Sequence, residues 1–317
     1  MKNLKYKKND ITDKVLKKDV SHAIAITSIY FIVFQLSALI SSFAILFTKK
    51  ESEAAVNNFF NNSGLPYLVA VGAGLFAIFV NMTPKMRKQT FASSKRKVTI
   101  GVFFSLVAII LTSQIVLGAY SSLFEHLVNL VGYSSTEQLK EATGASQTIS
   151  MLLYAGILGP VTEEIVFRGF LLRSLEKYGQ GFAIILSAYM FGLYHSNFIQ
   201  TPFAFVVGLI LGYVALTYGI KWSILLHIFN NLVLGDMFSY ILQNFSGKQA
   251  DIISNVLVWI GGVIGIVILW FFRRKIRNWY RNNKPTGTEL KLAFTRKILI
   301  LITIIIFIIS CTGLDKI

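Results

Sequence analysis

Apolar runs of bilayer length alternate along this chain with short polar segments. A hydrocarbon core is crossed by about 20 helical residues, and the runs at 23–47, 65–83, 98–118, 149–171, 181–199, 202–219, 222–242 and 253–272 meet that length. They predict eight spans and hence an all-α, polytopic transmembrane helix bundle. A ninth candidate, "ILILITIIIFIISCTGL" from Ile298, is rich in β-branched residues, yet in lipid the backbone must satisfy its own hydrogen bonds and a helix does so within one segment. The chain then divides into a basic tail (1–22), a membrane domain (23–272) whose polar motifs lie in 149–242, a basic segment (273–297), and the candidate helix 298–317. Residues 120–145 contain "SSLFEHLVNLVGY", whose spacing fits a short interfacial helix or a connecting loop. No repeat, low-complexity stretch or soluble second domain interrupts this plan.

Composition agrees: 54% of the 317 residues are hydrophobic and 15% charged, too apolar for one soluble domain of this size. The net charge of +16 raises the question of nucleic acid, but the cations are confined to segments between apolar runs. The tail, residues 85–97, 173–180, Lys221 and 273–284 fall on one side when eight spans are threaded, while 49–64 and 119–148 carry few positive charges. By the positive-inside rule the N-terminus is cytoplasmic, the protein is a multi-pass protein of the cell membrane, and a ninth span puts the C-terminus outside. The partners are then the lipid bilayer and whatever enters it, not nucleic acid. The first 20 residues are longer and more charged than the start of a signal peptide and read as a retained cytosolic tail. The single cysteine, Cys311, excludes an intrachain disulfide or a cysteine-based zinc cluster.

The fourth span breaks the apolar pattern. "GPVTEEIVFRGFLL" (159–172) holds Glu163, Glu164 and Arg168, and a charge near a span centre costs on the order of 2.5–3.5 kcal/mol on insertion scales. Residues four apart share a helix face, so Glu164 pairs with Arg168 while Glu163 points about 100° away and stays available. Upstream, Gly156, Gly159 and Pro160 weaken the helix, since proline lacks the N–H owed to Gly156; a kink there opens water access. Later spans add His195 in "FGLYHSN" and the one-face pair His227 and Asn231 in "LLHIFNNL". Simple counting places His195 in the outer half of span five and Glu163 in the inner half of span four, about 10 Å apart in depth. Asn230 lies on another face and reads as packing or support. His22 and His126 fall away from this group. Gly208 and Gly212, at small-xxx-small spacing, predict close helix packing.

A carboxylate and a histidine can polarise water for attack on a peptide carbonyl, and a second histidine with an asparagine amide can hold the oxyanion. Alternatively, Glu163, His195 and His227 match a catalytic zinc set with an open water position. Buried Glu and His also suit a proton-coupled transporter, but no inverted repeat or paired broken helices are evident.

The ordered set Glu163-Glu164-x-x-x-Arg168, Phe191-x-x-x-His195 and His227-x-x-x-Asn231 resembles the CPBP family, that is, the type II CAAX proteases and bacteriocin-processing (Abi) enzymes. The resemblance covers mainly 149–242. It implies an eight-helix intramembrane endopeptidase acting on a membrane-associated peptide or protein, such as a bacteriocin or pheromone precursor or a CAAX-like C-terminus. Glu163 and His195 would form the water-activating pair and His227 and Asn231 the oxyanion donors, with Glu164, Arg168 and Phe191 in support. The cofactor is either none or Zn2+; asparagine is a poor zinc ligand, which favours the glutamate route. A non-proteolytic peptide-binding protein on the same fold, such as a self-immunity factor, is the alternative.

Overall fold

The computed structural model describes residues 13–47, 59, 62–92, 94, 96–144 and 146–317; the first 12 residues of the expected tail and most of the loop after span one lie outside them. Among the described residues twelve helices dominate. They are α1 (Asp13–Phe47), α2 (Leu65–Asn81), α3 (Pro84–Phe91), α4 (Ile100–Asn129), α5 (Thr136–Thr143), α6 (Ile149–Tyr178), α7 (Gln180–Tyr194), α8 (Gln200–Thr217), α9 (Ile220–Leu242), α10 (Gly247–Asn283), α11 (Gly287–Phe294) and α12 (Lys297–Thr312). Two short strands, β1 (Tyr133–Ser134) and β2 (Asp315–Lys316), pair antiparallel. The chain is thus an all-α membrane bundle. Among the described residues six helices are long and apolar enough to cross a bilayer, and eight when the bent pairs α2–α3 (118°) and α11–α12 (65°) each count as one span. The shorter apolar α7 adds a ninth segment.

Several boundaries differ from the sequence pattern. Residues 120–129 continue α4 instead of forming a separate interfacial helix, because nothing helix-breaking stands before Gly132, which turns the chain at φ +82°. The basic stretch after 272 continues α10 to Asn283, so that helix reaches well beyond the hydrocarbon. Residues 84–91 fold back under the bundle as α3, started by Thr83, whose hydroxyl accepts the Met86 N–H at 3.2 Å. Thr90 of α3 is buried and donates to the Gly169 carbonyl at 2.9 Å, tying this short helix to α6.

The C-terminal helix belongs to the bundle. Tyr189 of α7 and Thr303 of α12 join hydroxyls at 2.9 Å, Gln138 of α5 donates to the Ser310 carbonyl at 2.7 Å, and Tyr133 pairs with Lys316. The end of α4 and the end of α12 therefore meet on one face, which requires the chain to cross an even number of times between them. The six segments α6, α7, α8, α9, α10 and α11–α12 satisfy that. The α7–α8 pair packs closely as the glycine spacing predicts: a Cβ on Gly208 would meet Ala188 at 3.0 Å, and one on Gly212 would meet Ile184 at 3.2 Å. Ser187 of α7 donates to the Phe167 carbonyl at 2.8 Å, locking α6, α7 and α8 into the buried core.

Candidate active site

The two glutamates of α6 have separate environments. Glu164 is fully buried, and both of its oxygens are occupied: Oε1 receives Arg168 Nη1 at 2.7 Å and His227 Nδ1 at 3.0 Å, and Oε2 receives the Ser223 hydroxyl. Arg168, also buried, donates to the Gly208 carbonyl at 3.2 Å and stands 4.3 Å above the Phe191 ring, a cation–π contact. Glu163 faces elsewhere, as the 100° offset predicts. Its side chain keeps 14% exposure, and His227 Nε2 lies 3.7 Å from its Oε2, beyond a direct hydrogen bond.

His195 reaches the same place by a device that hydropathy does not reveal. The apolar run continues to 199, but α7 stops at Tyr194, so at 15 residues it is about 22 Å long, short of the roughly 30 Å core. Ser196 then adopts φ +50°, a left-handed conformation rare in non-glycine residues, and turns the chain directly after His195. His195 thereby comes against Phe191, whose ring also meets His227, and His227 in turn lies 3.7 Å from Glu163. His195 Nδ1 is 2.9 Å from the Phe191 carbonyl; a carbonyl only accepts, so Nδ1 carries the proton and Nε2 the lone pair. His227 Nδ1 lies 3.0 Å from Glu164 Oε1; a carboxylate only accepts, so Nδ1 donates to it. The edge of Phe191 contacts both imidazoles, at 5.0 Å and 5.6 Å between ring centres and close to perpendicular. This ring thus positions both histidines while its face carries Arg168.

Asn231 is half-buried, one turn beyond His227. Its Oδ1 accepts from Asn230 at 2.9 Å, and its Nδ2 makes a long 3.4 Å contact to the Ala155 carbonyl of α6. Three stretches of π-helix occur on the site helices, at Tyr154–Leu158, Ile165–Leu172 and Phe229–Met237. The first lies at Gly159-Pro160, where the Gly159 N–H reaches back five residues to Tyr154, and the helix runs through from Ile149 to Tyr178. Such bulges frequently mark functional positions. Here they rotate Glu163 and Asn231 relative to a regular helix.

The structure therefore places Glu163 beside His227 and sets both His227 and His195 against Phe191, with Glu164 and Arg168 beneath; Asn231 follows one turn beyond His227, in contact with Asn230 and the Ala155 carbonyl. Sequence reading missed Ser223, although Ser223, His227 and Asn231 recur at four-residue spacing along α9. It also missed the buried Tyr30 and the half-buried Tyr194, whose hydroxyls meet at 3.4 Å, and Tyr154, which stacks on Phe34; ordinary hydrophobic patterning hides them. Among the described residues no group of three or more His, Cys, Asp or Glu side chains is disposed to hold a metal ion.

Set beside known proteins, the site segment finds a counterpart. Residues 145–233 match the family of type II CAAX prenyl endopeptidases, Rce1-like. The match bears out the CAAX-protease resemblance on the stretch holding all three motifs, and it supports a CAAX-type membrane protease in general. No curated protein and no solved structure matches the chain.

Proposed function

We propose that this protein is an intramembrane endopeptidase of the cell membrane, N-terminus cytoplasmic, in which Glu163 and His195 activate water and His227 and Asn231 stabilise the oxyanion. The observation carrying this reading is the division between neighbouring carboxylates. Glu164 is consumed by Arg168, Ser223 and His227, whereas Glu163 keeps solvent exposure beside two imidazoles. A structural ion pair needs only one of them.

Water adds through oxygen to the peptide carbonyl carbon and gives one proton to Glu163, while the His195 Nε2 lone pair accepts the other O–H as a hydrogen bond and orients the attack. The carbonyl electrons become an oxyanion held by Asn231 Nδ2–H and by protonated His227 Nε2–H, with Glu164 retaining the His227 Nδ1–H. Glu163 then passes its proton to the leaving amine as the C–N bond breaks, leaving a new carboxyl terminus and a free amine. Two buried polar atoms without a partner among the described residues, Ser196 Oγ and Asn230 Oδ1, adjoin His195 and Asn231 in sequence. A peptide backbone supplies N–H and C=O groups of the kind such atoms require, which supports a peptide over an ion as ligand. The substrate class is a membrane-associated peptide or protein, such as a bacteriocin or pheromone precursor or a CAAX-like C-terminus.

Mass spectrometry of membrane-bound and released peptides from cells carrying wild type or Glu163→Gln tests this directly. Defined termini are expected only with the wild type. Identical peptide sets, with a phenotype that only deletion of the gene produces, would instead make the site a peptide-binding cavity. Cleavage by the purified protein is expected to survive excess zinc chelator; loss restored by Zn2+ would replace the glutamate route.

A further inference from the structure

On the face bearing the basic segments, a cavity of about 330 Å³ opens between the loop after α3 and the turn joining α8 to α9. Arg96, Lys97 and Lys221 line it together with Ser94, Tyr218 and Trp222, and no acidic residue does. Asp19 and Glu176 on the same face are tied to Lys177 and Arg173 at 2.5 Å and 2.6 Å. The cavity walls are built. Ser94 donates to the Thr217 carbonyl at 3.0 Å, and Gly219 passes at φ +97° with its Cβ position 3.6 Å from Ser94. The two loops are therefore held against each other around the gap. Lys97 and Lys221 bring two positive charges to one recess, which favours an anion. Tyr218 and Trp222 are half-buried at helix ends, the level where such rings meet lipid headgroups.

We infer that this cavity binds the phosphate headgroup of an anionic phospholipid, seating it against the first turn of α9. Basic pockets between membrane helices on the positively charged side take such headgroups, and the volume admits a glycerophosphate but not a folded partner. The seat has consequences for the neighbouring site: Trp222 precedes Ser223, which donates to Glu164, and His227 lies one turn further along the same helix. The inference stands on the cavity and its charge and is independent of the proteolytic reading.

Native mass spectrometry of the full-length protein, released from nanodiscs of phosphatidylcholine with one quarter phosphatidylglycerol, provides the test. Wild type is expected to retain one phosphatidylglycerol, and Lys97→Ala/Lys221→Ala to retain it about tenfold less or weaker. Lys85→Ala/Lys88→Ala, which removes equal charge from exposed positions of α3 outside the cavity, is expected to behave as wild type and guards against a diffuse charge effect. Equal loss in both double variants, or none in the first, would overturn the site. Displacement of the lipid by millimolar inorganic phosphate would mean a soluble-anion site and overturn the lipid assignment.

Discussion

Glu163 and Glu164 are the same residue type one position apart, and their surroundings give them opposite consequences on substitution. Glu164→Gln leaves Arg168 buried without its counter-charge, and breaking a buried pair from one side costs about 3–5 kcal/mol. A large drop in thermal unfolding temperature in detergent is expected, with activity lost through misfolding. Glu163→Gln is expected to unfold like the wild type while cleavage falls about 10²–10⁴-fold. If Glu163→Gln destabilised as much as Glu164→Gln, both carboxylates would be structural. Ser223→Ala gives an intermediate case: one oxygen of Glu164 loses its donor in a dry setting, at a cost of about 1–3 kcal/mol, readable in the same unfolding experiment. Of these residues, Glu163, Glu164 and Arg168 are legible in the sequence because charge inside an apolar run is conspicuous. Ser223 is not, since a serine in a span is ordinary until its partner is known.

At the level of elements, α7 decides whether the histidine reaches the glutamate. Its sequence, apolar through Ile199, looks like a full span; the helix instead ends at Tyr194, and the loop beyond is held by other parts of the chain. Gln138 of α5 accepts the Phe198 N–H at 2.9 Å and, through its backbone carbonyl, the Asn197 amide at 3.1 Å, while its own amide bonds α12. These bonds come from residues some 60 and 170 positions away, so no local pattern announces them. Gln138→Ala is expected to free the loop and raise hydrogen exchange at residues 195–199, with cleavage reduced and the remaining helices unchanged. Unaltered exchange there would remove Gln138 from a positioning role. The α7–α8 seam makes a second case. Gly208→Val places a branched side chain against Ala188 and Phe191 and is expected to destabilise by about 1–3 kcal/mol while displacing Phe191 from both imidazoles; Gly72→Val, where a Cβ meets nothing within 4 Å, is the matched control.

For the whole molecule, the question is how often the chain crosses. Charge distribution orients the loops, and the pairing of β1 with β2 ties the C-terminus to the face reached by α4. With a cytoplasmic N-terminus this face is the outer one. Lys316→Cys in a Cys311→Ser background is therefore expected to react with a membrane-impermeant maleimide in intact cells. Labelling only after permeabilisation would reverse the orientation or remove a crossing.

The sequence alone determined the membrane class, the all-helical bundle and the pairing of Glu164 with Arg168, because each depends on composition, on charge in an apolar context or on the 3.6-residue period. Only the tertiary structure decided which polar groups meet and at what depth. The early end of α7, the left-handed Ser196, the three π-helical stretches and the hold of α5 and α12 on the loop after His195 depend on packing between distant segments. Hydropathy averages over a window of chain, whereas the reach of an imidazole toward a carboxylate is set by helix ends and rotations of a few ångströms, which neighbouring helices impose.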